Sequence, residues 1–98
     1  RILVIRFSSI GDIVLTTPVV RCLKKQISDA EIHFVTKHKY ASLATSNPYI
    51  GHIHLLKDNL NDLIRELSAI KFDYIIDLQH NYRSARIKQA LGVKSFSV

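Results

Sequence analysis

The sequence predicts an α/β fold built on a parallel sheet, and three observations predict it. Short runs rich in Val, Ile and Leu recur at 2–6, 32–36, 53–56 and 74–78. Helix-periodic segments separate them, the alternation that βαβ units produce. Turn-forming residues, Asn47-Pro48 and Gly92 among them, stand at the junctions.

Taken in order, the first strand covers Ile2–Arg6, and its near-continuous apolarity, shared by the fourth run Tyr74–Leu78, predicts central strands buried on both faces. The following helix carries Val19, Val20, Leu23 and Ile27 on one face, with Arg21, Lys24 and Lys25 off it. Proline lacks an N–H and clashes with the preceding turn, so Pro18 is expected at the first helical position with Thr17 as N-cap. Gly11 to Thr16 then form a separate turn or short helical segment. Ile32–Thr36 is the second strand, a short helix over Tyr40–Thr45 stops before Asn47-Pro48, and Ile53–Leu56 is the third strand. Leu60, Leu63, Ile64, Leu67 and Ile70 mark the next helix, with Asp62, Arg65 and Glu66 off the stripe. The last helix runs from Tyr82 to Leu91, capped by Asn81 and stopped by Gly92, and a fifth strand starts near Lys94. Right-handed crossovers order these strands 3-2-1-4-5, a Rossmann-like sheet whose ligand crevice lies at the carboxyl ends of strands one and four.

At 98 residues the chain is at most one domain and is short for a complete nucleotide-sugar fold. It opens on Arg1 and closes on the strand-like Ser95–Val98, so residues 1–98 are expected to be a single partial domain of a larger protein. The hydrophobic content of 47% and charged content of 22% suit a soluble globular domain, and no apolar run nears the roughly 20 residues of a membrane span. The first apolar stretch is too short for a signal peptide, which leaves a cytoplasmic location as the expectation. The single cysteine, Cys22, lies among helical residues and is expected to be a buried or half-buried thiol without chemistry. A net charge of +6 favours anionic partners: nucleic acid, a lipid headgroup and a phosphorylated glycan all satisfy it. No nucleic-acid motif, aromatic strand face or dense basic stripe is present, and nucleic acid is not expected.

Two segments carry unusual polarity at strand ends. Arg6-Phe7-Ser8-Ser9-Ile10-Gly11-Asp12 leads from the first strand towards a helix start, where backbone amides favour a phosphate or carboxylate. One glycine is too few for the dinucleotide fingerprint, which excludes NAD or FAD. Asp77-Leu78-Gln79-His80-Asn81-Tyr82-Arg83-Ser84 closes the fourth strand and opens a helix, and Arg83 in the first helical turn opposes the helix dipole unless an anion joins it. From the residues alone, Asp12 reads first as a cap of the turn that follows it, ahead of any catalytic role. His52 and His54 alternate along a strand and share a face, but no third ligand lies near them in sequence and no metal site is expected. His33 and His38 read as strand and loop positions, and Lys24, Lys25, Lys37 and Lys39 as solvated surface.

The run from Ile2 through Ser8-Ser9-Ile10-Gly11-Asp12 to Thr16-Thr17-Pro18 resembles the opening of the glycosyltransferase family that includes the lipopolysaccharide heptosyltransferases. Asp77 to Ser84 is similar to that family's second N-domain signature, and Asn47-Pro48-Tyr49-Ile50 to a commoner spacer. The resemblance implies the N-terminal part of a GT-B fold, which holds the sugar acceptor, while an absent C-terminal domain holds the nucleotide-sugar donor, typically ADP-heptose. It implies an anionic glycolipid acceptor and hence peripheral contact with the inner membrane, and a reaction that uses no cofactor and no metal. Asp12 matches the proposed general base that takes the acceptor hydroxyl's proton as it attacks the anomeric carbon with inversion. Arg6, Ser8 and Ser9 are then expected to contact donor phosphate or acceptor carboxylate, and Gly11, Thr17, Gln79, His80, Asn81 and Arg83 complete the expected substrate-binding set. One departure is His80, where the family usually has glycine. A flavodoxin-like or receiver-like binding module is the alternative, disfavoured because a receiver clusters acids after the first strand whereas here that strand ends in Arg6-Phe7.

Overall fold

The computed structural model describes residues 1–7 and 10–97, with Ile10 and Ser97 by their backbone only. Five strands, β1 (Ile2–Ile5), β2 (Ile32–Lys37), β3 (His52–Leu56), β4 (Tyr74–Asp77) and β5 (Lys94–Ser97), form one sheet in the order β3-β2-β1-β4-β5. All pairings are parallel, with Ile5 opposite Val35 on one side and Asp77 on the other. The expected Rossmann-like order is therefore the observed one.

Four α-helices cover the sheet: α1 (Ile10–Gln26), α2 (Ala41–Thr45), α3 (Leu60–Ser68) and α4 (Tyr82–Leu91), with a single 3₁₀ turn at His38–Tyr40 leading into α2. Side chains alternate across a strand, so β1 feeds two cores. Leu3 and Ile5 join Leu63 and Leu67 of α3 and Ile87 of α4. Ile2 and Val4 join Ile13 and Val20 of α1 and Ala44 of α2. β1 is buried throughout, as expected, but its fully covered companion is β2 and not β4, where Tyr74 remains 42% exposed. The Tyr74 ring meets Phe96 of β5 at 5.8 Å between centroids, and both remain partly exposed.

The first helix departs from expectation. α1 is continuous from Ile10 to Gln26 with Pro18 inside it, so Thr17 is an exposed mid-helix residue and no cap, and there is no separate turn at 11–16. The sheet-facing stripe is Ile13, Thr16 and Val20, with Leu23 partly buried, whereas Val19 and Ile27 are exposed. Burial on both sides of Pro18 holds the helix together across the missing hydrogen bond, and Pro18 itself faces solvent, the side on which a helix wrapped around a core is convex. Cys22 lies on the outer face and is exposed, not buried.

The caps of the later helices follow the sequence closely. The Asn59 side chain accepts from the Asn61 N–H at the start of α3. At α4, Asn81 and Ser84 form a reciprocal capping box, each side chain accepting from the other's backbone N–H at 3.0 Å. Gly92 ends α4 with φ of 63°, a left-handed conformation that glycine adopts without a Cβ penalty.

Candidate functional site

The adjacent carboxyl ends of β1 and β4 are joined by side chains of the residues that follow them. Arg6 reaches across β4's end, donating from Nη1 to the Leu78 carbonyl, while its Nη2 pairs with Asp12 Oδ2 at 2.5 Å. The Gln79 side chain returns the link, its Oε1 accepting from the Phe7 N–H at 3.0 Å. Asp12 stands in the first turn of α1, where the helix N-terminus favours a negative charge, and its side chain is 47% exposed. Arg6 Nε is buried with no hydrogen-bond partner among the described residues. The result is a carboxylate fixed by a guanidinium at the carboxyl ends of β1 and β4, with about half of its side chain open to solvent.

Beneath this group Asp77, the last residue of β4, shapes the second loop. It is fully buried on the α4 side of the sheet. Its Oδ1 accepts from the backbone N–H groups of Gln79 and His80, and its Oδ2 from the Ser84 hydroxyl and the Lys88 ammonium, each of the four at 2.9–3.0 Å. Burial by itself would raise this carboxyl. The His80 N–H, Lys88, Ser84 and the Gln79 N–H together outweigh that and hold it below the usual carboxylate value. The tight turn around Asp77 forces His80 to φ of 56°, the left-handed region that disfavours a Cβ. Glycine would adopt this conformation without that cost.

A second group lies at the carboxyl ends of β2 and β3. Lys37, His38, Lys39, Lys57, Asp58 and Arg83, with Leu56 and Leu60 as its apolar floor, line a cleft of about 680 Å³. Three lysines and an arginine against one aspartate make it electropositive. Arg83 is exposed in the first turn of α4, so its charge is offered to the cleft and not to the helix.

Of the residues expected from sequence, Arg6, Asp12 and Gln79 are joined at one sheet edge, and Arg83 lines the basic cleft. Gly11 is exposed at the start of α1, with no atom within 4 Å of where a Cβ would sit. Asn81 is engaged in capping α4, and Thr17 lies outside this contact set on the exposed face of α1. Ser8 and Ser9 lie outside the described residues. Lys37 and Lys39, expected as plain surface, are cleft-lining residues, and Lys57 was missed. Lys37 and Lys57 end or follow β2 and β3, and the rule that ligands bind beyond strand carboxyl ends would have marked both. Lys24 is also more than solvated surface, since its ammonium donates to the Ala30 carbonyl at 2.6 Å beyond the end of α1.

Comparison with known proteins shows that the chain is similar to glycosyltransferases. No family profile matches the chain. It is 26% identical over 98% of its length to lipopolysaccharide heptosyltransferase 1 of Campylobacter coli, and 30% identical over 86% of its length to lipopolysaccharide heptosyltransferase 3 of Escherichia coli. It spans only about 30% of the length of these relatives. Among solved structures, a glycosyl transferase family 9 protein from Veillonella parvula superposes with a TM-score of 0.90 at 27% identity, covering 99% of this chain and 32% of that one. The ADP-heptose lipopolysaccharide heptosyltransferase II of Escherichia coli gives 0.85 at 20% identity, with 99% and 30% covered. The sheet thus has the architecture of part of a GT-B fold.

Proposed function

We propose that this chain, a relative of the lipopolysaccharide heptosyltransferases, is part of the N-terminal, acceptor-side domain of an inverting glycosyltransferase that moves heptose from ADP-heptose to a lipopolysaccharide core acceptor. The observation that carries the proposal is the Arg6–Asp12 pair at the carboxyl end of β1, tied to the end of β4 through Leu78 and Gln79. Asp12 is the general base. It takes the acceptor hydroxyl's proton as the oxygen attacks the anomeric carbon, and the nucleotide diphosphate leaves from the opposite face. Arg6 holds the carboxylate in position, and Ser8, Ser9 and Gly11 contribute to substrate binding. The cleft of Lys37, Lys39, Lys57 and Arg83 receives phosphate or carboxylate groups of the acceptor core. The donor sits mainly on a second domain. The enzyme works in the cytoplasm at the inner membrane, where a glycolipid acceptor is presented; no helix among the described residues is long and apolar enough to cross a membrane.

Asp12→Asn in the intact enzyme tests the reading. Asparagine keeps the size and an oxygen for Arg6 but has no basic site. With saturating donor and acceptor, kcat is expected to fall by about 10²–10⁴-fold, while donor affinity and thermal stability stay near wild type. Full transfer activity in Asp12→Asn would withdraw the catalytic role and leave Asp12 as Arg6's structural partner.

A further inference from the structure

At the opposite edge of the sheet, the amino ends of β2 and β3, the fold gathers histidines and acids that the proposed transfer does not use. Residue 33 pairs with residue 52 across the two strands, so both imidazoles stand side by side, stacked at 4.4 Å between centroids. Glu31, just ahead of β2, is bound by both: His33 Nε2 and His52 Nε2 each lie 2.9 Å from Glu31 Oε1. Glu31's other oxygen takes Arg1 Nε at 3.2 Å. The sequence separates these residues by up to 21 positions, and parallel pairing brings them together.

We propose that Glu31, His33 and His52 form a binding site for one divalent transition-metal ion of the zinc class, with water completing a four-coordinate shell. Their donor atoms all lie within 4.8 Å of one another. Ligand atoms about 2.0–2.1 Å from a tetrahedral ion are roughly 3.3 Å apart, so opening the two 2.9 Å contacts by a few tenths of an ångström makes room for the ion. Two imidazoles and one carboxylate match zinc's preference for nitrogen and oxygen ligands with one open position. The stacked rings must splay for both lone pairs to meet the ion. His52, whose side chain is 54% exposed, has room to turn, while His33 is buried and fixed by an edge contact with Phe72.

The surroundings of His33 are those of a held ligand. If Nε2 binds the ion, the ring's remaining proton is on Nδ1, which lies 2.9 Å from His54 Nε2. His54 then carries its own proton on Nδ1, which contacts the Glu66 carboxylate of α3. Each ring proton finds an acceptor and the series ends on a carboxylate, the outer arrangement that orients metal-bound imidazoles. His54 and Glu66 are thus positioning residues, and an ion here would clamp the edge strand β3 to β2 and to the segment preceding it.

The test uses zinc chloride alone with the purified protein, followed by calorimetric titration, and cobalt(II) as a spectroscopic substitute. One ion per chain is expected, and cobalt is expected to give the intense visible bands of a four-coordinate site without a thiolate charge-transfer band. His52→Gln and Glu31→Gln, both at part-exposed positions that leave the core intact, are each expected to weaken zinc binding at least tenfold with the far-ultraviolet dichroism unchanged. Cys22→Ser is expected to bind as wild type does. Failure to bind zinc at millimolar concentration, unchanged affinity in both ligand variants, or loss of binding in Cys22→Ser would each overturn the proposal.

Discussion

His80 stands at φ of 56°, and the cost of holding a Cβ there is about 1 kcal/mol. The backbone accepts it because His80 N–H and Gln79 N–H both bind Asp77, which converts the loop after β4 into a fixed turn. His80→Gly is therefore expected to leave stability unchanged or raise it by up to about 1 kcal/mol, read as an upward shift in the urea midpoint. A clear loss would mean that the imidazole makes a contact worth more than the strain. Asp77 has the larger stake. Its carboxyl is held below the usual value in the folded chain, so the unfolded chain binds the proton more tightly. The stabilisation is complete above the unfolded carboxylate pKa of about 3.9 and is lost as pH falls through the folded value. Asp77→Asn is expected to cost about 2–3 kcal/mol at neutral pH, since it removes the partner of the largely buried Lys88, and to flatten the acid limb of stability against pH. A variant whose acid limb matches wild type would show that other carboxylates carry it.

Among the elements, α3 was legible as an apolar stripe that runs on to Ile70, whereas the helix ends at Ser68 and its Asn59 cap was not anticipated. α4 was legible to the residue because its limits are set by local chemistry: Asn81 accepts from a backbone N–H group, and Gly92 turns left-handed. Those forces need no knowledge of the rest of the chain. α1 was not legible, because whether Pro18 starts a helix or sits within one depends on packing. Ile13 and Thr16 before it and Val20 after it face the same core, and that shared burial outweighs one missing hydrogen bond. The same cause misplaced the apolar face, since Val19 and Ile27 satisfy the period as well as Val20 does. Pro18→Ala restores the N–H and helix propensity, partly offset by a more flexible unfolded chain, and is expected to stabilise by about 1 kcal/mol. Thermal denaturation decides it: a fall in Tm would show that the proline's bend is what seats α1 on the sheet.

At the scale of the molecule, strand order was legible because handedness and strand burial leave few alternatives. What sequence could not supply was the joining of distant residues across strand ends: Arg6 with Leu78, Lys37 with Lys57 and Arg83, His33 with His52. The net charge of +6 acquires a direction from this, because the cleft beyond β2 and β3 concentrates cations on the edge that bears Asp12. Residues 1–98 alone are accordingly expected to bind a phosphorylated core oligosaccharide without transferring sugar to it. Binding needs only the cleft. Transfer needs a donor aligned with the acceptor hydroxyl, and that positioning supplies much of the rate. Titration calorimetry is expected to show affinity that falls as salt rises, since exposed cations are screened over about 10 Å at 0.1 M, and a further loss in the double variant Lys57→Ala/Arg83→Ala. Salt-independent binding, or binding untouched by the double variant, would move the acceptor away from this cleft. Turnover of ADP-heptose by residues 1–98 with no second domain added would instead refute the division of acceptor and donor between two halves.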